Sequence, residues 1–166
     1  MVGCESVRIH GQRAICSDPI IFKEFGVPVR ADVQSGRLGP LVGLLTAMIW
    51  AKEIGHDFVV TVPGDVPFLP DDLITRMSGA AGYRRPVVLA SGDRVHPTIG
   101  LWPVALAERL AQNIGFGVTR MLAWCKAVGA IELLYPTDDP GYFLNLNTVE
   151  DLERRGGSRM AGVVRG

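Results

Sequence analysis

Residues 58–70 read FVVTVPGDVPFLP, an apolar run followed by a turn that contains an aspartate. Residues 58–62 are rich in β-branched side chains and do not alternate with polar residues. This pattern is typical of a strand buried on both faces, as in the centre of a parallel sheet. Ligands of open parallel α/β sheets bind at the carboxyl ends of the strands. The pattern therefore predicts that Asp65, which follows this strand, faces a ligand.

The turn around Asp65 suits a ligand that carries phosphate. Pro63, Gly64 and Pro67 stiffen the turn and let backbone come close to a ligand. A hard carboxylate oxygen in that place suits Mg²⁺ bound to nucleotide phosphates. An aspartate in a turn also commonly bonds its own backbone. Spacing alone leaves both interpretations of Asp65 open.

Length and composition describe an ordinary globular chain. Its 166 residues suffice for one domain, which we expect to span residues 1–155, followed by a flexible Gly/Arg-rich tail at residues 156–166. The 17 basic and 17 acidic residues give no electrostatic reason to bind nucleic acid or an anionic membrane. No apolar run approaches the roughly 20 residues of a membrane span. We therefore expect a cytoplasmic protein that acts on a small molecule.

Strands and helices alternate along the rest of the chain. Further strands are predicted at residues 6–10, 27–30, 86–90, 95–101 and 131–135. Helices are predicted from Pro40 onward and at residues 71–77, 104–112, 118–128 and 148–155. Residues 91–94, SGDR, read as a hairpin turn. The sum is an α/β sandwich with a mostly parallel sheet and one antiparallel excursion.

Four segments carry a family resemblance. They are LGPLVGLLTAMIWA (38–51), TVPGDVPFLPDDL (61–73), HPTIGLWPVAL (96–106) and FLNLNTVEDL (143–152). In this order they resemble the molybdenum cofactor guanylyltransferase family of the bacterial MobA type. The first two patterns also occur in related nucleotidyltransferases, whereas HPTIGLWP followed by NLNT is more particular to this family.

The resemblance implies both a fold and a reaction. The fold is a Rossmann-like, three-layer αβα nucleotidyltransferase fold. The reaction is the transfer of GMP from GTP to molybdopterin, which gives the guanine dinucleotide form of the molybdenum cofactor and releases pyrophosphate. The implied cofactor is Mg²⁺, and the expected partners beyond GTP and molybdopterin are molybdoenzymes or other cofactor-biosynthesis proteins.

Residues of the first two motifs are expected at the nucleotide. Asp65 matches the aspartate that holds Mg²⁺ and GTP, so the resemblance implies a catalytic and metal-binding role for it. Asp32 matches a nucleotide-binding aspartate, with a simple turn aspartate as the alternative. Gly39, Pro40 and Gly43 match the segment that approaches the nucleotide at the start of a helix, where amides and the helix dipole favour an anion.

Residues of the later motifs are expected to complete the pocket. Asn145 and Asn147 share one face if FLNLN is extended. The resemblance implies that they hold the pterin or the metal-bound phosphates, and edge-strand amides facing water are the alternative. His96 is expected to line the pocket, with a hydrogen-bonded core histidine as an equal alternative. Trp102 and Trp124 are expected in the core.

The beginning of the chain departs from the family pattern. Members of the family open with a strand and a loop of the form LAGGxSxRMGxDK that holds the triphosphate, and this sequence lacks that motif. His10 stands where the family commonly has a nucleotide-contacting asparagine. We therefore expect an N-terminally truncated version of the fold, with unpaired strand edges in the centre of the sheet and poor catalysis.

Two further interpretations of the function stay open. One is a nucleotidyltransferase of another specificity, cytidylyl or sugar-nucleotide, against which the HPTIGLWP and FLNLN segments argue. The other is a non-catalytic remnant that binds a nucleotide, a pterin or a molybdoenzyme partner.

Overall fold

The computed structural model describes residues 5–9, 12–16, 28–33, 39–82, 84–136, 142–146 and 148, the first two ranges as backbone. The strands are β1 (Glu5–Ile9), β2 (Gln12–Cys16), β3 (Val29–Arg30), β4 (Phe58–Pro63), β5 (Val87–Ser91), β6 (Arg94–Pro103) and β7 (Ile131–Leu134). The helices are α1 (Pro40–Glu53), α2 (Leu73–Ala81), α3 (Ala107–Gly115) and α4 (Met121–Val128), and a 3-10 turn, Val104–Leu106, precedes α3.

The strands form one sheet in the order β3-β2-β1-β4-β6-β5-β7. Five of them run in the same direction, while β1 and β6 run the opposite way. The predicted α/β sandwich and the central position of β4 are confirmed. The prediction of a mostly parallel sheet is wrong for the pairings, because only β2–β3 and β5–β7 are parallel neighbours. The predicted hairpin at residues 91–94 is confirmed, and β1 is a second antiparallel strand.

Strand β4 is buried for a different reason from the one that its sequence suggested. Both of its neighbours, β1 and β6, are antiparallel to it. Helices nonetheless cover both faces of the sheet at β4, so Val59 and Val60 point into different apolar clusters and are both buried. An unbroken apolar run therefore indicates that both faces of a strand are covered by other elements, and it does not indicate whether the neighbouring strands are parallel.

The expected gap in the centre of the sheet is not found. Strand β1 pairs with β2 on one side and with β4 on the other, so that Glu5 is the register partner of both Cys16 and Pro63. The backbone groups of β4 that face this side are thereby paired, and the expectation of open edges was wrong. Strand β2 was not predicted.

The two faces of the sheet carry separate apolar cores. Helices α1, α3 and α4 pack on one face with Trp102 and Trp124, which are both fully buried as predicted. Helix α2 packs on the other face together with Phe143. This is the three-layer αβα arrangement that the family resemblance implied.

Helix α1 is buried on nearly every side. It begins after Gly39, whose φ of 75° favours glycine, and has Pro40 in its first turn. Residues 41–48 are all buried. The backbone N–H of Val33 donates to Thr46 Oγ1 at 3.0 Å. The segment after β3 therefore lies against the middle of α1.

A short hydrogen-bonded chain joins β4 to β6 beneath α1. The indole N–H of Trp102 donates to Thr61 Oγ1 at 2.9 Å, and that hydroxyl donates to the carbonyl of Thr98 at 2.9 Å. The indole lies across Gly100, where an added Cβ would meet three of its atoms at 2.7 Å. The indole N–H of Trp102 and the hydroxyl of Thr61 are thus paired, and Gly100 leaves the space that the indole needs.

Two predicted features lie outside the described residues. They are the helix at residues 148–155, apart from Thr148, and the tail at residues 156–166. The remaining predicted helices and strands are present with shifted ends. In the part of the chain that is described, no helix has the length and apolar character needed to cross a membrane.

Candidate functional site

Asp65 lies at the carboxyl end of the central strand and meets a segment that is distant in sequence. The turn closes with a hydrogen bond from Val66 N to the carbonyl of Pro63 at 3.2 Å. The side-chain amide of Asn145 donates to Asp65 Oδ2 at 3.1 Å, and Leu146 N donates to the Asp65 carbonyl at 2.8 Å. The hydrogen bond described for the Asp65 carboxylate is therefore made with another segment rather than with its own turn.

The segment 142–146 reaches Asp65 through a bend at Phe143. This residue has a φ of 61°, in the left-handed region that non-glycine residues rarely adopt. Its N–H points to the carbonyl of Phe68 at 3.4 Å, and its side chain is buried. The backbone is therefore not extended at Phe143, so the condition under which Asn145 and Asn147 would share one face is not met there. Asn147 lies outside the described residues.

His96 lies beside the same segment. Its Nε2 is 2.7 Å from Ser91 Oγ, and its ring centroid is 5.5 Å from that of Phe143, with the rings tilted by 45°. Partial burial lowers the pKa of His96, and repulsion from Arg94 lowers it further. The lowered pKa favours the neutral form of His96, because partial burial and the charge of Arg94 both disfavour an imidazolium there.

The register of β4 and β6 explains why Asp65 and His96 share one edge of the sheet. Thr61 pairs with Gly100 in this antiparallel ladder. Asp65 follows Thr61 by four residues and His96 precedes Gly100 by four, so both lie beyond the same end of the paired region. The structure thus brings Asp65, His96 and Asn145 to one edge.

Asp32 lies against helix α1. Its Oδ1 is 3.4 Å from Thr46 Oγ1, and that hydroxyl donates more closely, at 2.8 Å, to the carbonyl of Val42. Partial burial of the carboxyl raises the pKa of Asp32, and the contact with Thr46 opposes this rise only in part. The contacts described for Asp32 are with α1 and not with Asp65 or Asn145.

Gly39, Pro40 and Gly43 lie in the first turns of α1. Gly39 is exposed, and a Cβ added there would lie 3.7 Å from the carbonyl of Thr119, in the loop before α4. Gly43 is buried within the helix. The predicted helix start is confirmed, and the nucleotide contact expected for these residues stays a prediction.

Sequence reasoning missed a polar cluster that supports the segment 142–146. The hydroxyl of Tyr135 donates to Asp72 Oδ1 at 2.6 Å, and Arg76 Nε donates to Asp72 Oδ2 at 2.5 Å. The guanidinium of Arg76 lies 5.1 Å from the Tyr135 ring centroid, and that ring meets Phe143 edge-on at 5.5 Å. The hydrogen bond from Tyr135, and then that from Arg76, lowers the pKa of Asp72.

Asp65 is the carboxylate to which the family resemblance assigns Mg²⁺. Among the described residues, no group of three or more His, Cys, Asp or Glu side chains is arranged to hold a metal ion. Mg²⁺ in nucleotide enzymes is commonly held by one or two carboxylates together with substrate phosphates. The single carboxylate of Asp65, at the edge of the sheet and hydrogen-bonded on Oδ2, fits that second arrangement.

A cavity of about 310 Å³ lies at the opposite edge of the sheet, between the end of α1 and the start of α3. Its lining includes Lys52, Asp57 and Glu108, and Asp57 directly precedes β4. Open α/β sheets bind their ligands at the carboxyl ends of the strands. The edge with Asp65 is therefore the better candidate site.

Comparison with known proteins identifies the relatives of this chain. A family model described as the MobA-like NTP transferase domain matches residues 1–128. A molybdenum cofactor guanylyltransferase of Cereibacter sphaeroides is 43% identical over 137 residues, which cover 82% of this chain and 68% of the relative.

Two solved structures share the fold. A putative protein from Aquifex aeolicus superposes with a TM-score of 0.66 at 25% identity, over 79% of this chain and 68% of the other. A protein from Archaeoglobus fulgidus, titled molybdopterin-guanine dinucleotide biosynthesis protein A, superposes with a TM-score of 0.63 at 18% identity, over 84% of this chain and 73% of the other.

Proposed function

The chain belongs to the MobA-like NTP transferase family, and on this premise we propose that it transfers GMP from GTP to molybdopterin. The phosphate of molybdopterin attacks the α-phosphate of GTP, the bond to the β-phosphate breaks, and pyrophosphate leaves. The observation that carries the proposal is the hydrogen bond between Asn145 and Asp65. It joins two motifs that lie far apart in sequence at the edge where this fold class binds its ligands.

Asp65 is the proposed metal-binding and catalytic residue. Its Oδ2 accepts the bond from Asn145, so Oδ1 is the atom that we assign to the cation. Mg²⁺ bound there with the nucleotide would offset the negative charge that develops on the phosphate oxygens. Asn145 fixes the rotation of the carboxylate, as partners of metal ligands commonly do.

The remaining site residues are assigned to substrate contacts. We assign the nucleotide to the start of α1, where the amides that follow Gly39 and Pro40 favour an anion and where Gly43 lies in the next turn. Asp32 is assigned to the nucleotide as well. Asn145, Asn147 and neutral His96 are assigned to the pterin side, because Asn145 and His96 both adjoin the bend at Phe143.

The test is a reconstituted reaction. Purified protein is incubated with GTP, Mg²⁺ and molybdopterin, and both pyrophosphate and the guanine dinucleotide are measured. We expect both products to form only when all three reactants are present. Pyrophosphate release that does not require molybdopterin, or the absence of the dinucleotide, would count against the proposal.

The setting of the reaction is proposed with it. We propose that the protein acts in the cytoplasm and passes its product to molybdoenzymes or to other cofactor-biosynthesis proteins. A pull-down of molybdoenzymes from cells that express the tagged chain tests this part of the proposal.

A further inference from the structure

Phe143 is the one buried residue of the segment 142–146. Its side chain is 2% exposed. Three rings surround it: His96 at 5.5 Å, Tyr135 at 5.5 Å and Tyr142 at 5.9 Å between centroids. The ring also belongs to the apolar cluster that includes Met77 of α2. Phe143 thus links the segment to α2, to β6 and to the residue after β7.

We infer that Phe143 is a positioning residue for Asp65: its buried ring holds the bend that brings the Asn145 amide onto the Asp65 carboxylate. Asn145 is itself exposed, so packing around its own side chain does not fix its place. The effect on turnover rests on the proposed function, whereas the effect on the Asn145–Asp65 hydrogen bond does not.

The backbone conformation of Phe143 supports this inference. A φ of 61° is unfavourable for a residue with a Cβ, and such conformations persist where the surroundings hold them in place. The N–H of Phe143 provides little of that hold, since its contact with the Phe68 carbonyl is long, at 3.4 Å. Burial of the aromatic ring against three other rings is large enough to hold this conformation.

The polar cluster beside the ring fixes one of its three aromatic neighbours. Tyr135 meets Phe143 edge-on, with an interplanar angle of 75°. The hydroxyl of the tyrosine is held by Asp72, whose carboxylate also binds Arg76 of α2. The start of α2 is therefore coupled through Tyr135 to the bend at Phe143.

The first test follows the hydrogen bond itself by NMR in ¹⁵N-labelled full-length protein. The side-chain amide signal of Asn145 is assigned by its loss in Asn145→Ala. In Asp65→Ala, the chemical shift of this signal gives the reference value for an Asn145 amide without the hydrogen bond. We expect Phe143→Ala and Phe143→Leu to move the signal toward that reference value. Phe143→Leu keeps an apolar side chain in the cluster, so it decides the matter if Phe143→Ala does not fold.

Leu110→Ala is the matched control, because Leu110 is fully buried in the core on the other face of the sheet. This variant loses apolar packing of similar extent and should leave the Asn145 signal in place. An unmoved signal in Phe143→Leu would overturn the inference. So would an equal movement in Leu110→Ala, which would show that the signal reports general loss of packing.

The second test follows turnover in a double-mutant cycle. Phe143→Leu and Asn145→Ala should each lower kcat for GMP transfer by about 10- to 100-fold, the range for lost partners of metal ligands. The double variant should be no slower than Asn145→Ala alone, because both changes remove the same hydrogen bond. Additive losses would overturn the inference. If the wild type transfers no GMP, the proposed function fails, and the NMR result still decides the role of Phe143.

Discussion

Asn145 donates a hydrogen bond to Asp65 at 3.1 Å although 80 residues separate them in sequence. The hydrogen bond from Leu146 N to the Asp65 carbonyl lies directly beside it, at 2.8 Å. Two adjacent bonds define the position of a short segment more closely than one does. The geometry of the proposed metal ligand therefore depends on a segment that begins eight residues after the end of β7.

The first prediction concerns the charge of Asp65. Asp65→Asn should lower kcat for GMP transfer by about 100-fold or more, the size expected when one group that stabilises transition-state charge is lost. The midpoint of urea unfolding should stay nearly unchanged, because the turn is only half-buried. Asp71→Asn is the control, since it removes an exposed carboxylate from the same stretch. Equal activity of wild type and Asp65→Asn would remove Asp65 from the site.

The second prediction concerns the base. In the presence of Mg²⁺, GTP should bind at least about tenfold more tightly than CTP. A site built for one base edge leaves its own polar atoms unpaired with the other base, at a cost of about 1–3 kcal/mol. Competition between the two nucleotides, measured by calorimetric titration, checks this. A preference for CTP would favour the cytidylyl branch of these transferases instead.

The third prediction concerns the pH dependence of the Tyr135–Asp72 hydrogen bond. The bond lowers the pKa of Asp72 below its ordinary value of 3.8 and raises that of Tyr135 above 10.0. The bond therefore contributes fully to stability between about pH 3.8 and pH 10.0. This contribution is lost as the pH falls through the lowered pKa of Asp72, and as the pH rises through the raised pKa of Tyr135.

Tyr135→Phe measures this contribution, because the substitution removes only the hydroxyl. The difference between wild type and variant in the free energy of unfolding should be constant near neutral pH and should shrink at both extremes. When both proteins also carry Asp72→Asn, this difference should no longer shrink at acid pH. A difference that persists unchanged well below pH 3.8 would show that Asp72 is not the partner that matters.

The fourth prediction compares two glycines. Gly100→Ala places a Cβ 2.7 Å from the Trp102 indole, so it should lower the free energy of unfolding by about 1–3 kcal/mol, as overpacking does. Gly79→Ala in α2 meets nothing within 4 Å and should raise that free energy by about 0.4–1 kcal/mol. Urea unfolding of both variants is the measurement. Similar effects of the two substitutions would contradict the packing described for Trp102.

Local patterns predicted the elements that bury a continuous apolar surface. The apolar run of β4, the spacing of α1 and the turn at Gly92 each have a short-range cause in the residues themselves. The directions of strands depend instead on the connections between them. Strand β1 lies between β2 and β4 and is antiparallel to both, and the sequence of β2, QRAIC, is short and partly polar. Gly11, between the two short runs, was the available signal for the pairing of β1 with β2.

The candidate site was predictable only in part. Asp65 stood out because it follows a buried strand, and the family resemblance decided between a ligand-facing residue and a simple turn aspartate. The bend at Phe143 gave no comparable signal, since a phenylalanine is not expected at positive φ. Asn145 was therefore assigned to the site by the family resemblance and not by its local backbone conformation.

The pairing of β1 with β4 has a consequence for how the protein opens. Along the sheet, β3, β2 and β1 are joined to the remaining strands through one ladder, in which Glu5 to Arg8 face Val60 to Pro63. Ser91 and His96 lie in strands beyond β4, and Asp65 and Tyr135 follow β4 and β7, whereas Asp32 follows β3 on the other side of this ladder. Proteins open locally in cooperative units. Hydrogen exchange along this ladder would thus report the separation of β1 from β4, an opening that leaves the contact between Asp65 and Asn145 closed.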